Sequence, residues 1–231
     1  MTYPKILAVL LLGDGAAVSI DRLVEALWDD APPATARRQV RNRVASLRRV
    51  LKGNGNDPIE TVLHGYRIPK AAADCDYCTF KTLAVRARSL AEAGRLDEAV
   101  RAADEGLAVW TGPALMGLNG RLFEAASHRL EESRLATVEA RASWQLRLGR
   151  SDAMVGELFE LVAALPYRQR LLSLYLSALQ LSGRTAEALK AYEIHRLRLD
   201  EELGIEPGQE LQRLYVSLLR DERPFVDGPA A

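Results

Sequence analysis

A Gly-Arg phrase punctuates this chain three times: Gly94-Arg95-Leu96-Asp97-Glu98-Ala99, Gly149-Arg150-Ser151-Asp152-Ala153 and Gly183-Arg184-Thr185-Ala186-Glu187-Ala188. The last two copies start 34 residues apart. Glycine ends one helix, and the small alanines behind it let the next helix pack closely. Everything from Asp74 onward is therefore predicted as helix, over roughly 76–93, 96–110, 120–148, 151–164, 167–182, 185–203 and 208–220. Within 96–110, Leu96, Val100, Ala103, Leu107 and Trp110 make one apolar stripe.

A 34-residue spacing is also the period of tetratricopeptide helix pairs. Stacked pairs of that kind present an extended surface, usually to another protein. The plainer alternative is a surface that only supports the front of the chain.

That front reads differently. Pro4 opens an almost wholly apolar helix through Leu12, and a helix apolar all round must be covered on more than one side. Gly13-Asp14-Gly15 ends it, and Ala17-Val18 fits a short extended piece. Ser19 then fits an N-cap. The next helix runs from Ile20 to about Asp29, with Leu23, Leu27 and Trp28 as its packing face, and Pro32-Pro33 stops it. Residues 37–52 follow as a helix with apolar Val40, Val44, Leu47 and Leu51 at spacings of four, three and four. After a turn at Gly53-Asn54-Gly55-Asn56, Ile59 to Val62 and Tyr66 to Ile68 read as two strands about His64-Gly65. Helix, helix, helix, hairpin is the order of a winged helix-turn-helix. The fold class expected is thus mostly α: a winged helix-turn-helix over 1–70, then an all-helical region over 74–231.

The third helix carries the charge argument. It holds seven basic side chains and no acidic one. A solvated surface helix is the bland reading of any charge run, but such helices normally mix signs to form i,i+4 pairs. One sign alone points to an anionic partner. The net charge of the whole chain is zero, and the zero hides an asymmetry. Residues 1–70 hold eleven Lys/Arg against seven Asp/Glu, and the remainder holds twenty against twenty-four. Only the front is built to meet nucleic acid.

Other classes find little support. There is no Gly-rich phosphate loop, no His-Glu-x-x-His and no Gly-x-Ser-x-Gly, so neither catalysis nor a cofactor is expected. No secretory leader or bilayer span is read, and the expected compartment is the cytoplasm. Cys75 and Cys78 form a Cys-x-x-Cys, but a structural zinc needs four ligands and no second pair exists. The pair is read as structural or incidental, with redox sensing as the alternative.

Taken together, the motifs resemble those of the Streptomyces antibiotic regulatory proteins, activators of secondary-metabolite gene clusters in actinomycetes. Val18 through Trp28 is similar to the family's second-helix signature, and Pro32 through Arg37 followed by Val44 through Arg49 resembles its recognition helix. Gly65-Tyr66-Arg67-Ile68 looks like its wing. Ala108 through Leu115 and Glu201 through Pro207 resemble hallmarks of its activation domain. The resemblance covers nearly the whole chain. It implies an OmpR-like winged helix and a bacterial transcriptional activation domain of tetratricopeptide type. It also implies binding to tandem direct repeats in double-stranded DNA as side-by-side copies, a homodimer at least on DNA, and recruitment of RNA polymerase. Carried over by position, Arg37, Arg38, Arg41, Asn42, Arg43, Arg48 and Arg49 lie on or beside the DNA, with His64, Tyr66 and Arg67 in the wing.

Two features depart from the family pattern. No counterpart of its small N-terminal sheet precedes Pro4, so Ile6, Leu7, Leu10 and Leu11 need another cover. The recognition helix is also richer in arginine, which favours phosphate affinity over base choice. The alternative function is a truncated regulator that no longer binds DNA specifically and works through contact with a full-length relative.

Overall fold

The computed structural model describes residues 3–52, 57–70 and 75–222. The turn expected at Gly53–Asn56 lies outside them. Among the described residues the order is α1 (Tyr3–Leu12), β1 (Val18–Ser19), α2 (Ile20–Trp28), α3 (Ala36–Leu51), β2 (Glu60–Val62) and β3 (Gly65–Arg67). Then come α4 (Asp76–Glu92), α5 (Leu96–Leu107), α6 (Arg121–Arg147), α7 (Ser151–Ala164), α8 (Gln169–Leu181), α9 (Thr185–Leu203) and α10 (Gln209–Leu219). This is a winged helix-turn-helix followed by an all-helical region. Among the described residues no helix is long and apolar enough to cross a membrane.

By packing, the chain divides into two compact units, Met1–Val85 with Glu105–Arg134, and Arg86–Asp104 with Leu135–Ala231. In the first, Ile6, Leu10, Leu23, Val40, Val44, Leu47, Ile59 and Ile68 form one core with Phe123 of α6. The apolar surround of α1 is thereby explained. Ile6 and Leu10 are fully buried, while Leu7, Ala8 and Leu11 pack half-buried into the same cluster as Leu115, Leu118 and Leu122. Residues 115–123, distant in sequence, supply the cover that α1 requires.

Ser19 caps α2 as expected, its hydroxyl accepting from the Arg22 amide at 3.1 Å. The packing face of α2 is centred on Leu23 and Ala26, with Leu27 and Trp28 only half-buried. The three strands form an antiparallel sheet in the order β1-β3-β2, with Thr61 opposite Tyr66 in the hairpin and Val18 opposite Tyr66 on the other edge. Gly65 is dictated by this closeness. A Cβ there would lie 1.9 Å from the carbonyl oxygen of Val18.

In the second unit, Leu146, Met154, Leu158, Leu171, Leu172, Leu176, Leu179, Tyr192 and Leu211 form one core, and Ala87, Ala99, Val100, Ala103, Ala140 and Trp144 form another. The three Gly-Arg phrases are helix joints of one design. Gly94, Gly149 and Gly183 have φ of 76°, 74° and 74°. The glycine amide and the arginine amide behind it donate to carbonyls near the preceding helix end at 2.8–3.0 Å each time. That satisfies carbonyls a helix terminus otherwise leaves open. One expectation shifts: α5 ends at Leu107, so Trp110 is not on its stripe. The Trp110 amide turns back to the Leu107 carbonyl at 3.1 Å, and its ring meets Phe80 edge-on at 5.3 Å.

Candidate nucleic-acid interface

Helix α3 is held from below. Val40, Val44 and Leu47 are buried, as is Ala36 at its start. No acidic residue lies in its first turn, and Arg48 and Arg49 lie in its last, where cations complement the helix dipole. On its outer side Arg37, Arg38, Arg41, Asn42 and Arg49 are exposed.

The six arginines of α3 do not share one fate. Arg38, Arg41 and Asn42 make no hydrogen bond or ion pair among the described residues. Arg37 pairs with Asp21 of α2 at 2.7 Å, with both side chains two-thirds exposed. Arg49 donates to Ser46 Oγ of the same helix at 2.8 Å. Arg43 is half-buried, its guanidinium 5.0 Å from the centre of the Trp28 ring, and it donates to Gln39 Oε1 at 3.2 Å. Gln39 donates in turn to Thr35 Oγ1 at 3.0 Å.

Arg48 is tied into the wing. It donates to the Ile59 carbonyl and to Thr61 Oγ1, both at 2.8 Å. Its Nε lies 2.9 Å from Asp57 Oδ2, at an angle that makes this an ion pair rather than a hydrogen bond. Its guanidinium stands 5.6 Å from the Tyr66 ring centre. Tyr66 itself is 8% exposed and belongs to the core. Arg48 and Tyr66 therefore join the hairpin to α3, and Arg48, one of the arginines expected on or beside the DNA, points at the wing.

The wing's outer surface is small. His64 is exposed, and its carbonyl accepts from the Ile20 amide at 3.1 Å. Arg67 is exposed and pairs across the hairpin with Glu60 at 2.7 Å. Leu63 shares the two-residue turn with His64 and is 91% exposed. The expected strands, ending at Val62 and resuming at Tyr66, already left Leu63 between them, but its exposure at the tip follows from the register Val62 opposite Gly65. Asp57 and Glu60 count in the sequence only as charges, although they hold Arg48 and Arg67.

The arrangement is a buried-stripe helix carrying exposed guanidinium groups beside a hairpin whose tip is open. Guanidinium groups so placed can take phosphate oxygens, or guanine acceptors in a major groove.

Comparison with known proteins agrees with this architecture. A family described as bacterial transcriptional activator domain matches residues 75–219, and one described as transcriptional regulatory protein, C terminal, matches residues 3–68. The chain is 33% identical over 232 residues to Regulatory protein DnrI of Streptomyces peucetius, covering 96% of this chain and 85% of that one. It is 34% identical over 224 residues to Transcriptional regulatory protein EmbR of Mycobacterium tuberculosis, but spans only 57% of that protein. It is 35% identical to Regulatory protein AfsR of Streptomyces griseus, spanning 23% of it. The solved structure of Mycobacterium tuberculosis EmbR in complex with a low affinity phosphopeptide superposes with a TM-score of 0.92 at 31% identity, covering 98% of this chain and 61% of that one. On these grounds the chain belongs to the Streptomyces antibiotic regulatory protein family of transcriptional activators.

Proposed function

We propose that this chain activates transcription by laying α3 in the major groove of double-stranded DNA, with the β2–β3 wing beside the backbone. The observation that carries the reading is the position of Arg37, Arg38, Arg41 and Arg49, exposed on a helix whose opposite face is buried through Val40, Val44 and Leu47. The contacting set is these arginines with Asn42, joined by His64, Leu63 and Arg67 from the wing. Arg43, Arg48 and Tyr66 act beneath it as supports.

In this reading residues 1–70 do the DNA work, and 74–231 form the tetratricopeptide-like activation region. Two copies sit side by side on tandem direct repeats near a promoter of a secondary-metabolite cluster and help recruit RNA polymerase, in the cytoplasm. Family membership supports these finer assignments.

The test is a gel-shift titration against the chain's own upstream promoter DNA, with scrambled competitor, over a range of salt. The expected result is a shift that survives competitor and weakens steeply with salt. Replacing Arg41 and Arg49 by alanine should abolish the specific shift while leaving the melting temperature unchanged. Any residual binding should show a log–log salt slope smaller by about 2, at roughly 0.9 for each phosphate that is no longer neutralised. Undiminished specific binding by the double variant would sink the groove assignment.

A further inference from the structure

Cys75 and Cys78 belong neither to the basic helix nor to the repeat joints, yet their placement is specific. Cys75 immediately precedes α4, and Cys78 lies in its first turn. Their Sγ atoms are 2.8 Å apart, less than an ångström beyond the covalent separation of about 2.05 Å. The Cys78 backbone N–H donates to Cys75 Sγ at 3.2 Å, so the sulfur occupies the position an N-cap oxygen normally fills. Both thiols are partly exposed. Cys75 also lines a mostly apolar cleft of about 360 Å³, with Leu7 and Leu11 of α1, Tyr77 and Phe80 of α4, and Trp110. Small solutes therefore have a way in.

Among the described residues no group of three or more His, Cys, Asp or Glu is placed to hold a metal ion. We propose that Cys75 and Cys78 are a reversible thiol–disulfide site, oxidised by low-molecular-weight disulfides.

The two sulfurs have distinct roles. Cys75 borders the cleft, so it is the sulfur a small disulfide meets first and the one that attacks, as its thiolate form. Burial, and then the contact with Cys75, push the Cys78 thiol up to about 12, so it keeps its proton and acts second. Cys75 thiolate attacks one sulfur of the small disulfide, whose S–S bond breaks to release one thiolate. That thiolate takes a proton from solvent. Cys78 then loses its proton to solvent and attacks Cys75 Sγ, expelling the second small thiolate, which is protonated in turn. The protein pair loses two electrons and two protons, and the reagent gains both as two thiols.

The experiment uses the full chain equilibrated at graded ratios of reduced to oxidised glutathione, acid-quenched, labelled with a maleimide polymer and weighed intact. The expected result is loss of both labels in a single transition, a monomeric product lighter by two hydrogens, and complete reversal by dithiothreitol. Cys78→Ser should instead accumulate one glutathione on Cys75. Retention of both labels at the most oxidising ratio overturns the proposal. So does a stable glutathione on each cysteine of the wild type, or a disulfide found only between chains.

Discussion

Arg48 shows how a single side chain can belong to two readings. By spacing it lies on the charged face of a basic helix. By contact it holds Ile59, Thr61 and Asp57 and faces the Tyr66 ring. Its guanidinium satisfies hairpin groups that would otherwise need water. Arg48→Ala should therefore lower stability by about 1–3 kcal/mol, read as a shifted urea midpoint, whereas Arg41→Ala should leave it within about 0.5 kcal/mol. A second residue with a stability signature is His195 of α9. It is 5% exposed, and its Nε2 is buried without a partner. Burial, and then nearby Arg198, hold its pKa below the ordinary value of 6.5. The folded state thus disfavours the charged ring. Stability from this residue is complete above about pH 6.5 and is lost as pH falls further, because the unfolded chain binds the proton first. The limiting slope for one proton is about 1.4 kcal/mol per pH unit. Urea unfolding between pH 7.5 and 5.0 should show a steeper loss for the wild type than for His195→Gln, and equal slopes would refute the assignment.

At the scale of elements, α3 and the hairpin behave as one piece. The hairpin has only three residues per strand, and a hairpin that short is marginal alone. It persists because β3 is flanked on both edges, by β1 and β2, and because Arg48 clasps it from α3. Loosening this clasp should weaken DNA binding indirectly. Arg48→Ala is expected to lose affinity with little change in salt slope, while Arg41→Ala with Arg49→Ala changes the slope itself. Measuring slope together with affinity separates a support from a direct DNA contact. The helix joints are a different kind of element, set locally. Gly94, Gly149 and Gly183 repeat one left-handed cap with the same pair of amide bonds.

At the scale of the molecule, the winged helix does not close its own core. Phe123, on α6, is 1% exposed inside the cluster built by α1, α2, α3 and the hairpin, and Lys5 of α1 stands 5.6 Å from its ring centre. Asp14, just past α1, is held by Lys81 of α4 and by Lys70, and these contacts keep its carboxyl below the usual carboxylate range. Phe123→Ala should therefore cost about 3–5 kcal/mol and unfold the DNA-binding half, although residue 123 is far from it in sequence. Amide hydrogen exchange supplies the check. Protection should fall in α1 and α3 of the variant, and a loss confined to α6 would contradict this packing.

What the sequence determined by itself were the features governed by near neighbours along the chain. The helices, the Ser19 cap and the glycine joints depend on residues within a few positions of each other, so periodicity and capping chemistry reveal them. The basic stripe of α3 was legible for the same reason. Tertiary structure alone decided which of those arginines stay exposed, since Arg48 finds its partners 9 to 13 residues away across a hairpin whose register sequence does not state. It alone decided what covers α1, because burial of Leu7 and Leu11 requires only apolar surface of the right shape, and nothing in an apolar residue names its partner. The sulfurs of Cys75 and Cys78 lie between these cases. Their spacing is local, but their approach and exposure depend on how the first turn of α4 is set and on what borders the cleft beside it.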